Sequence, residues 1–196
     1  MIYLYTDAAL TDRLSADGSN PDADTYNGTY GQARDRQLFL ANEQVELAAA
    51  LDESATTVTL LATSFADDEV VLIDAEQMKV LSGGGTTSLT VERGYAGSVA
   101  ASHAAGATVY SGYNYTGITV SAVDAAGSDE SGWYTFALTQ VGLADAVPGV
   151  ALQLADKAYS EMLSFWRRCT VPPGTPVQTK TDLRMRVIGV ENPIPC

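Results

Sequence analysis

His103 is the only histidine in a chain of 196 residues, so a Ser-His-Asp or Cys-His hydrolytic arrangement would need it as its base. No G-x-S-x-G nucleophile elbow accompanies it, and a general base must lie within hydrogen-bond reach of the proton it removes. The expected role of His103 is that of a loop-pinning or partly buried imidazole. Paired carboxylates can cleave sugars, and among 24 acidic residues some pair always falls close together. The long repetitive strand array of a polysaccharide-cleaving β-helix is missing, and the expectation is a chain that is not an enzyme and needs no cofactor. Asp17-x-Ser19-x-x-Asp22-x-Asp24 gathers hard oxygen ligands of the kind calcium takes, in a spacing that departs from the EF-hand order. The expected reading is a solvated acidic loop, with a calcium site over 17–24 as the alternative. Residues 124–130 form a second acidic turn. Cys169 and Cys196 show no C-x-x-C spacing; they read as a buried strand thiol and a terminal one, with a disulfide formed in an oxidising medium as the alternative.

Charge limits the partners. The net charge of −13 opposes nucleic-acid binding and docking to an anionic membrane surface. It is also uneven: residues 157–196 hold six basic residues against three acidic ones, and residues 1–156 hold five against twenty-one. Arg167, Arg168, Arg184 and Arg186 dominate the basic end. They are expected to face a neighbouring subunit's acidic surface; a contact with DNA is the less favoured alternative, because phosphate binding needs a broad positive field. Residues 1–7 have no basic n-region ahead of an apolar stretch, and no run of about 18 apolar residues occurs, so folding in a cytoplasm without a membrane partner is expected.

The elements that must carry these residues are strands. Thr57-Val58-Thr59-Leu60 alternates polar and apolar with period two, Val70-Val71-Leu72-Ile73 is a short apolar run, and Gly83-Gly84-Gly85 separates Met78-Lys79-Val80-Leu81 from Leu89-Thr90-Val91-Glu92 as a hairpin turn would. Residues 117–123, 133–138, 149–154, 160–170 and 183–190 also read as strands, the last with Arg184 and Arg186 on one face and Leu183, Met185 and Val187 on the other. Residues 15–31 are loop by composition, and residues 43–51 fit helix or strand. Residues 98–106 are too short and small for a stable helix and are expected to be one helical turn or a compact loop. Short strands separated by turn signals every 8–12 residues indicate an all-β sandwich or small barrel. Phe165 and Trp166 are neighbours on one strand and must point to opposite faces, which leaves one of them for an interface.

The stretch EVVLIDAEQMKVLSGGGTTSLTVERGYAGSVAASHAAGATVY, residues 69–110, resembles a small β module found repeatedly in tailed-bacteriophage virion proteins. The matching features are the acid-rich D-A-E-Q-M after a strand, the glycine hairpin, and L-T-V-x-R-G-Y-x-G followed by H-x-x-G-A-x-V. The C-terminal SFWRRCTVPPGTPVQTKTDLRMRVIG is similar to the last strands of an Ig-like sandwich of the sort phage proteins carry. The resemblance implies a virion structural role and no catalysis. Within the module, Arg93 before Gly94 is placed to reach carbonyls or a carboxylate such as Glu76 as a fork donor, and His103 to hydrogen-bond across its loop.

The expected architecture is an Ig-like β-sandwich, residues 1–47 with 112–196, carrying a small β-barrel-like module at 48–111 as an insertion; two domains in tandem divided near Gly112 is the alternative. The expected function is a non-enzymatic oligomeric building block of the virion. Its partners would be copies of itself and other virion proteins, most readily in the head–tail neck or connector. Capsid decoration, a tail or baseplate role, or a tail-associated receptor- or glycan-binding module are the alternatives.

Overall fold

The computed structural model describes residues 1–15 and 17–195. The chain is all-β, with three antiparallel sheets and a few single-turn 3-10 segments. The strands are β1 Ile2–Tyr5, β2 Gln32–Asn42, β3 Gln44–Glu46, β4 Thr57–Thr59, β5 Val70–Ile73, β6 Glu76–Ser82, β7 Ser88–Glu92, β8 Thr108–Ser111, β9 Tyr113–Asp124, β10 Tyr134–Ala137, β11 Leu152–Gln153, β12 Leu163–Val171 and β13 Leu183–Pro193. No helix among the described residues is long and apolar enough to cross a membrane.

Two sheets form a β-sandwich, with strand orders β1-β2-β12-β10 and β11-β9-β13. Their inner faces supply one core: Leu38 and Leu40 of β2, Ile118 and Val120 of β9, Phe136 of β10 and Phe165 of β12. The period-two alternation of each strand puts these side chains inward. Complete burial of Leu38 or Phe165 contributes about 1.5–3 kcal/mol each. Phe165 is fully buried, while Trp166 points outward and is half-buried.

The third sheet, β3-β8-β5-β6-β7-β4, draws every strand from residues 44–111 and curls into a half-barrel around a separate core that includes Val58, Ile73, Met78, Leu89 and Val109. Its two edge strands approach each other at one end. A bridge between Leu47 and Leu60, with Ala48 N–H donating to Thr59 O at 2.8 Å and Leu61 N–H to Glu46 O at 3.0 Å, joins them. The β6–β7 reversal depends on glycine: Gly83 has φ +87°, and a Cβ there would lie 2.3 Å from Ser88 O.

Several element expectations change. Residues 43–51 hold the short strand β3 and no helix, because Val45 pairs with Val109 of β8. Residues 98–106 form a loop tied by a bridge between Leu51 and His103, and the single-turn 3-10 segment lies just before it, at Tyr95–Gly97. The strand expected over 149–154 shrinks to Leu152–Gln153, the two residues that pair with β9.

Candidate functional site

The module is held from within by one carboxylate. Glu76 opens β6 with a fully buried side chain, and Arg93 follows the last residue of β7, the strand paired with β6. The Arg93 guanidinium grips both oxygens of Glu76, Nε to Oε1 at 2.7 Å and Nη2 to Oε2 at 2.8 Å. Its remaining N–H groups donate to the carbonyls of Asp52 (2.7 Å), Ala55 (2.6 Å) and Ala101 (2.6 Å). Only a planar five-donor group meets a carboxylate and three carbonyls at once. The backbone N–H groups of Gly94 and Ala101 also donate to Glu76. His103, nearly fully buried, faces Glu76 Oε2 at 2.9 Å with one ring nitrogen and Asp74 Oδ2 at 2.8 Å with the other. Arg93, Glu76 and His103 therefore meet at one point and tie the 52–55 and 94–103 loops to the sheet. With both ring nitrogens engaged, His103 has no free nitrogen to offer a substrate.

Burial works against the charge of Glu76, but the bonds from Arg93, the Ala101 N–H, His103 and the Gly94 N–H outweigh it and hold its pKa down to about 2, against 4.5 ordinarily. A carboxylate whose folded pKa is depressed stabilises the protein above its unfolded value and loses that contribution as pH falls through the folded one. Denaturant midpoints of the wild type and Glu76→Gln should therefore differ most above pH 4.5. The gap should narrow steadily towards pH 2, and a pH-independent gap would contradict this assignment.

The basic end of the chain behaves differently from expectation. The alternation that buries Phe165 also turns Arg167 inward, so Arg167 is 1% exposed and cannot line an interface. It lies directly across from Arg36 on β2, and two adjacent cations on one face need a counter-charge. The acidic loop supplies it. Asp22 accepts Arg167 Nε and Nη2, each at 2.7 Å, and Asp24 accepts Nη2 at 2.7 Å; both aspartates also take Arg36. Burial opposes the guanidinium charge, yet these carboxylates push the Arg167 pKa above its ordinary value. The calcium alternative for residues 17–24 fails for the same reason: Asp22 and Asp24 turn in to arginine, while Asp17 caps the Ser19 N–H at 2.9 Å. Among the described residues no three His, Cys, Asp or Glu side chains are grouped to hold a metal.

Arg168, on the opposite face, is paired bidentately with Asp35 at 2.7 and 2.9 Å. Lys180 is enclosed by Asp124, Glu130 and Asp182. Lys157 is buried and donates to Asn42 Oδ1 at 2.6 Å and to the Ala158 and Tyr159 carbonyls; burial, weakly opposed by the charge of Glu161, pushes its pKa down to about 8. Arg184 and Arg186 remain exposed on β13, with no ion pair among the described residues. The four arginines therefore do not form one basic face, and the positive field that contact with DNA would require is reduced to two side chains. Phe165 likewise belongs to the core and not to an interface. Cys169 is a free buried thiol beside this network, its pKa raised by burial; Cys196 lies outside the described residues.

Alternation along β12 was the signal that could have shown Arg167 as internal. The Asn42–Lys157 contact had none, because its members are 115 residues apart.

Two basic side chains left without an ion pair among the described residues, Arg184 and Arg186, lie on β13. β13 is eleven residues long with a register break between Ile188 and Val190, pairs with β9 alone among the described residues, and presents Arg184, Arg186, Ile188 and Val190 to solvent. No protein-family model matches the chain, and no curated protein matches it.

Proposed function

We propose that this chain is a non-enzymatic structural subunit of a tailed-phage virion, an oligomeric building block of the head–tail neck or connector. The observation that carries the reading is the open edge of β13. The edge of β13 is open to strand addition over Leu183–Ile188, ahead of the register break between Ile188 and Val190 and of Pro193. Here the side chains beside it are two unpaired arginines and two exposed aliphatic residues, a mixture suited to a subunit contact. The resemblance of residues 69–110 to a phage β module supports the setting. The internally bolted loops of that module support a geometric role, in which rigid elements pack between neighbours and fix symmetry.

Light scattering of the purified chain at low and high salt tests this. Assembly should be strongest at low salt and should weaken as the arginines are screened. Replacing Arg184 and Arg186 with glutamate should abolish it without changing the melting temperature by more than about 2 °C, since exposed surface substitutions have small effects. A chain that stays monomeric at every salt concentration, or assembles as well with the two arginines reversed, would remove the support.

A further inference from the structure

We propose that the cleft between β1 and the loop at 63–66 is a binding site for a primary ammonium group on an alkyl stem. This inference does not depend on the structural role proposed above. The cleft measures about 230 Å³ and is lined by Tyr3, Arg13, Glu43, Ser64 and Phe65 among others. Glu43 joins the end of β2 to the start of β3, and its side chain is 7% exposed. One carboxylate oxygen is fully used: Oε1 accepts the Ser64 hydroxyl at 2.8 Å and the Phe65 N–H at 3.1 Å. That grip holds Phe65 at φ +56°, a left-handed conformation disfavoured for a bulky residue. The other oxygen, Oε2, is buried and makes no close hydrogen bond among the described residues, although the Tyr3 hydroxyl faces the same carboxylate, and burial together with the Glu43 charge raises the Tyr3 pKa. A buried acceptor left unpaired is costly, and a donor that reached it from the cleft, with a small displacement of the side chains covering it, would relieve that cost.

The donor is defined by what is already there. Arg13 is the nearest cation, but its guanidinium lies over the Tyr3 ring at 4.3 Å and reaches only to 3.9 Å from Oε1, with its side chain half-exposed. A guanidinium binds a carboxylate best through both oxygens, and Oε1 is spent. An ammonium is a compact point charge with three donors. It can take Oε2 alone and offer its remaining protons to the hydroxyl-bearing residues Thr63 and Ser64, which line the same cleft. Met1 also lines the cleft, and its ammonium is held by Glu69 and Ser111.

Thermal unfolding of the full chain in n-butylammonium chloride tests the site, with sodium chloride at equal ionic strength and n-butanol as controls. Butylammonium alone should raise the midpoint in a saturable way, by about 3–6 °C at ten times its Kd. A capped Gly-Lys-Gly peptide run in parallel separates the sources: a shift with the peptide assigns the site to a lysine side chain of another polypeptide, and a shift with butylammonium only assigns it to a free small amine. Glu43→Gln keeps an acceptor for Ser64 and Phe65 and should lose the response. Arg13→Ala removes the nearest competing cation and should tighten butylammonium binding several-fold, a result that stands even if Glu43→Gln fails to fold. An equal shift with sodium, or an Arg13→Ala response no stronger than wild type, would overturn the proposal.

Discussion

Replacing Arg93 with alanine is expected to unfold the six-stranded sheet while the sandwich stays folded. The substitution strips a buried carboxylate of its counter-charge and leaves the Asp52, Ala55 and Ala101 carbonyls without their donor. Breaking a buried ion pair from one side costs about 3–5 kcal/mol, because the remaining charge stays in a poorly solvated place. A loss of that size is comparable to the stability of a small unit with its own core. Arg93→Lys should rescue little, since a single ammonium cannot span both Glu76 oxygens and three carbonyls. The measurement separates the two cores cleanly. Both tryptophans, Trp133 and Trp166, lie in or beside the sandwich, and the module has none. Amide hydrogen exchange should lose protection over residues 57–111, with tryptophan fluorescence unchanged. A full complement of slow module amides in Arg93→Ala would show that the Glu76 cluster does not hold the sheet.

Arg167→Ala is expected to act on the other core. It leaves Arg36 as the one cation on Asp22 and Asp24 among the described residues and opens a void beside Tyr134, whose ring centroid lies 5.9 Å from the Arg167 guanidinium. We expect a loss of about 3 kcal/mol, at the lower end of the range for a broken buried pair because Arg36 compensates in part. The loop over 17–31 carries no regular element and is anchored through these aspartates, so it should become the first site of limited proteolysis. The triple change Arg167→Met, Asp22→Asn, Asp24→Asn removes the buried arginine with its two carboxylates and leaves only the partly exposed Arg36 charged. It should recover much of the stability, as apolar replacement of a whole buried ion set often does. If the triple variant is no more stable than Arg167→Ala, packing of the arginine stem and not its charge is what the site supplies.

Features that depend on short-range pattern were legible in the sequence. Period-two alternation and closely spaced turn residues specified an all-β chain, because strand geometry is local. Gly83 declared the β6–β7 reversal, because only glycine tolerates both its φ and the approach of Ser88 O. Arg93 and Glu76 lie 17 residues apart on adjoining elements of one hairpin, so their pairing was legible from type and spacing, whereas the sequence offered His103 only as a residue that pins its own loop, and its contact with Glu76 was not legible.

Where the charges go depends on long-range packing. In the sequence, a basic C-terminal end faces an acidic remainder, and that division suggests two complementary outer surfaces. In the fold, Arg167 and Asp22 pair across 145 residues, Arg168 and Asp35 across 133, and Lys180 and Glu130 across 50, so most of the division cancels inside one molecule. Coulomb attraction between these groups depends on strand register and sheet order, which no local window contains. Only Arg184 and Arg186 keep the outward role, because β13 is an edge strand and no acidic side chain among the described residues reaches them.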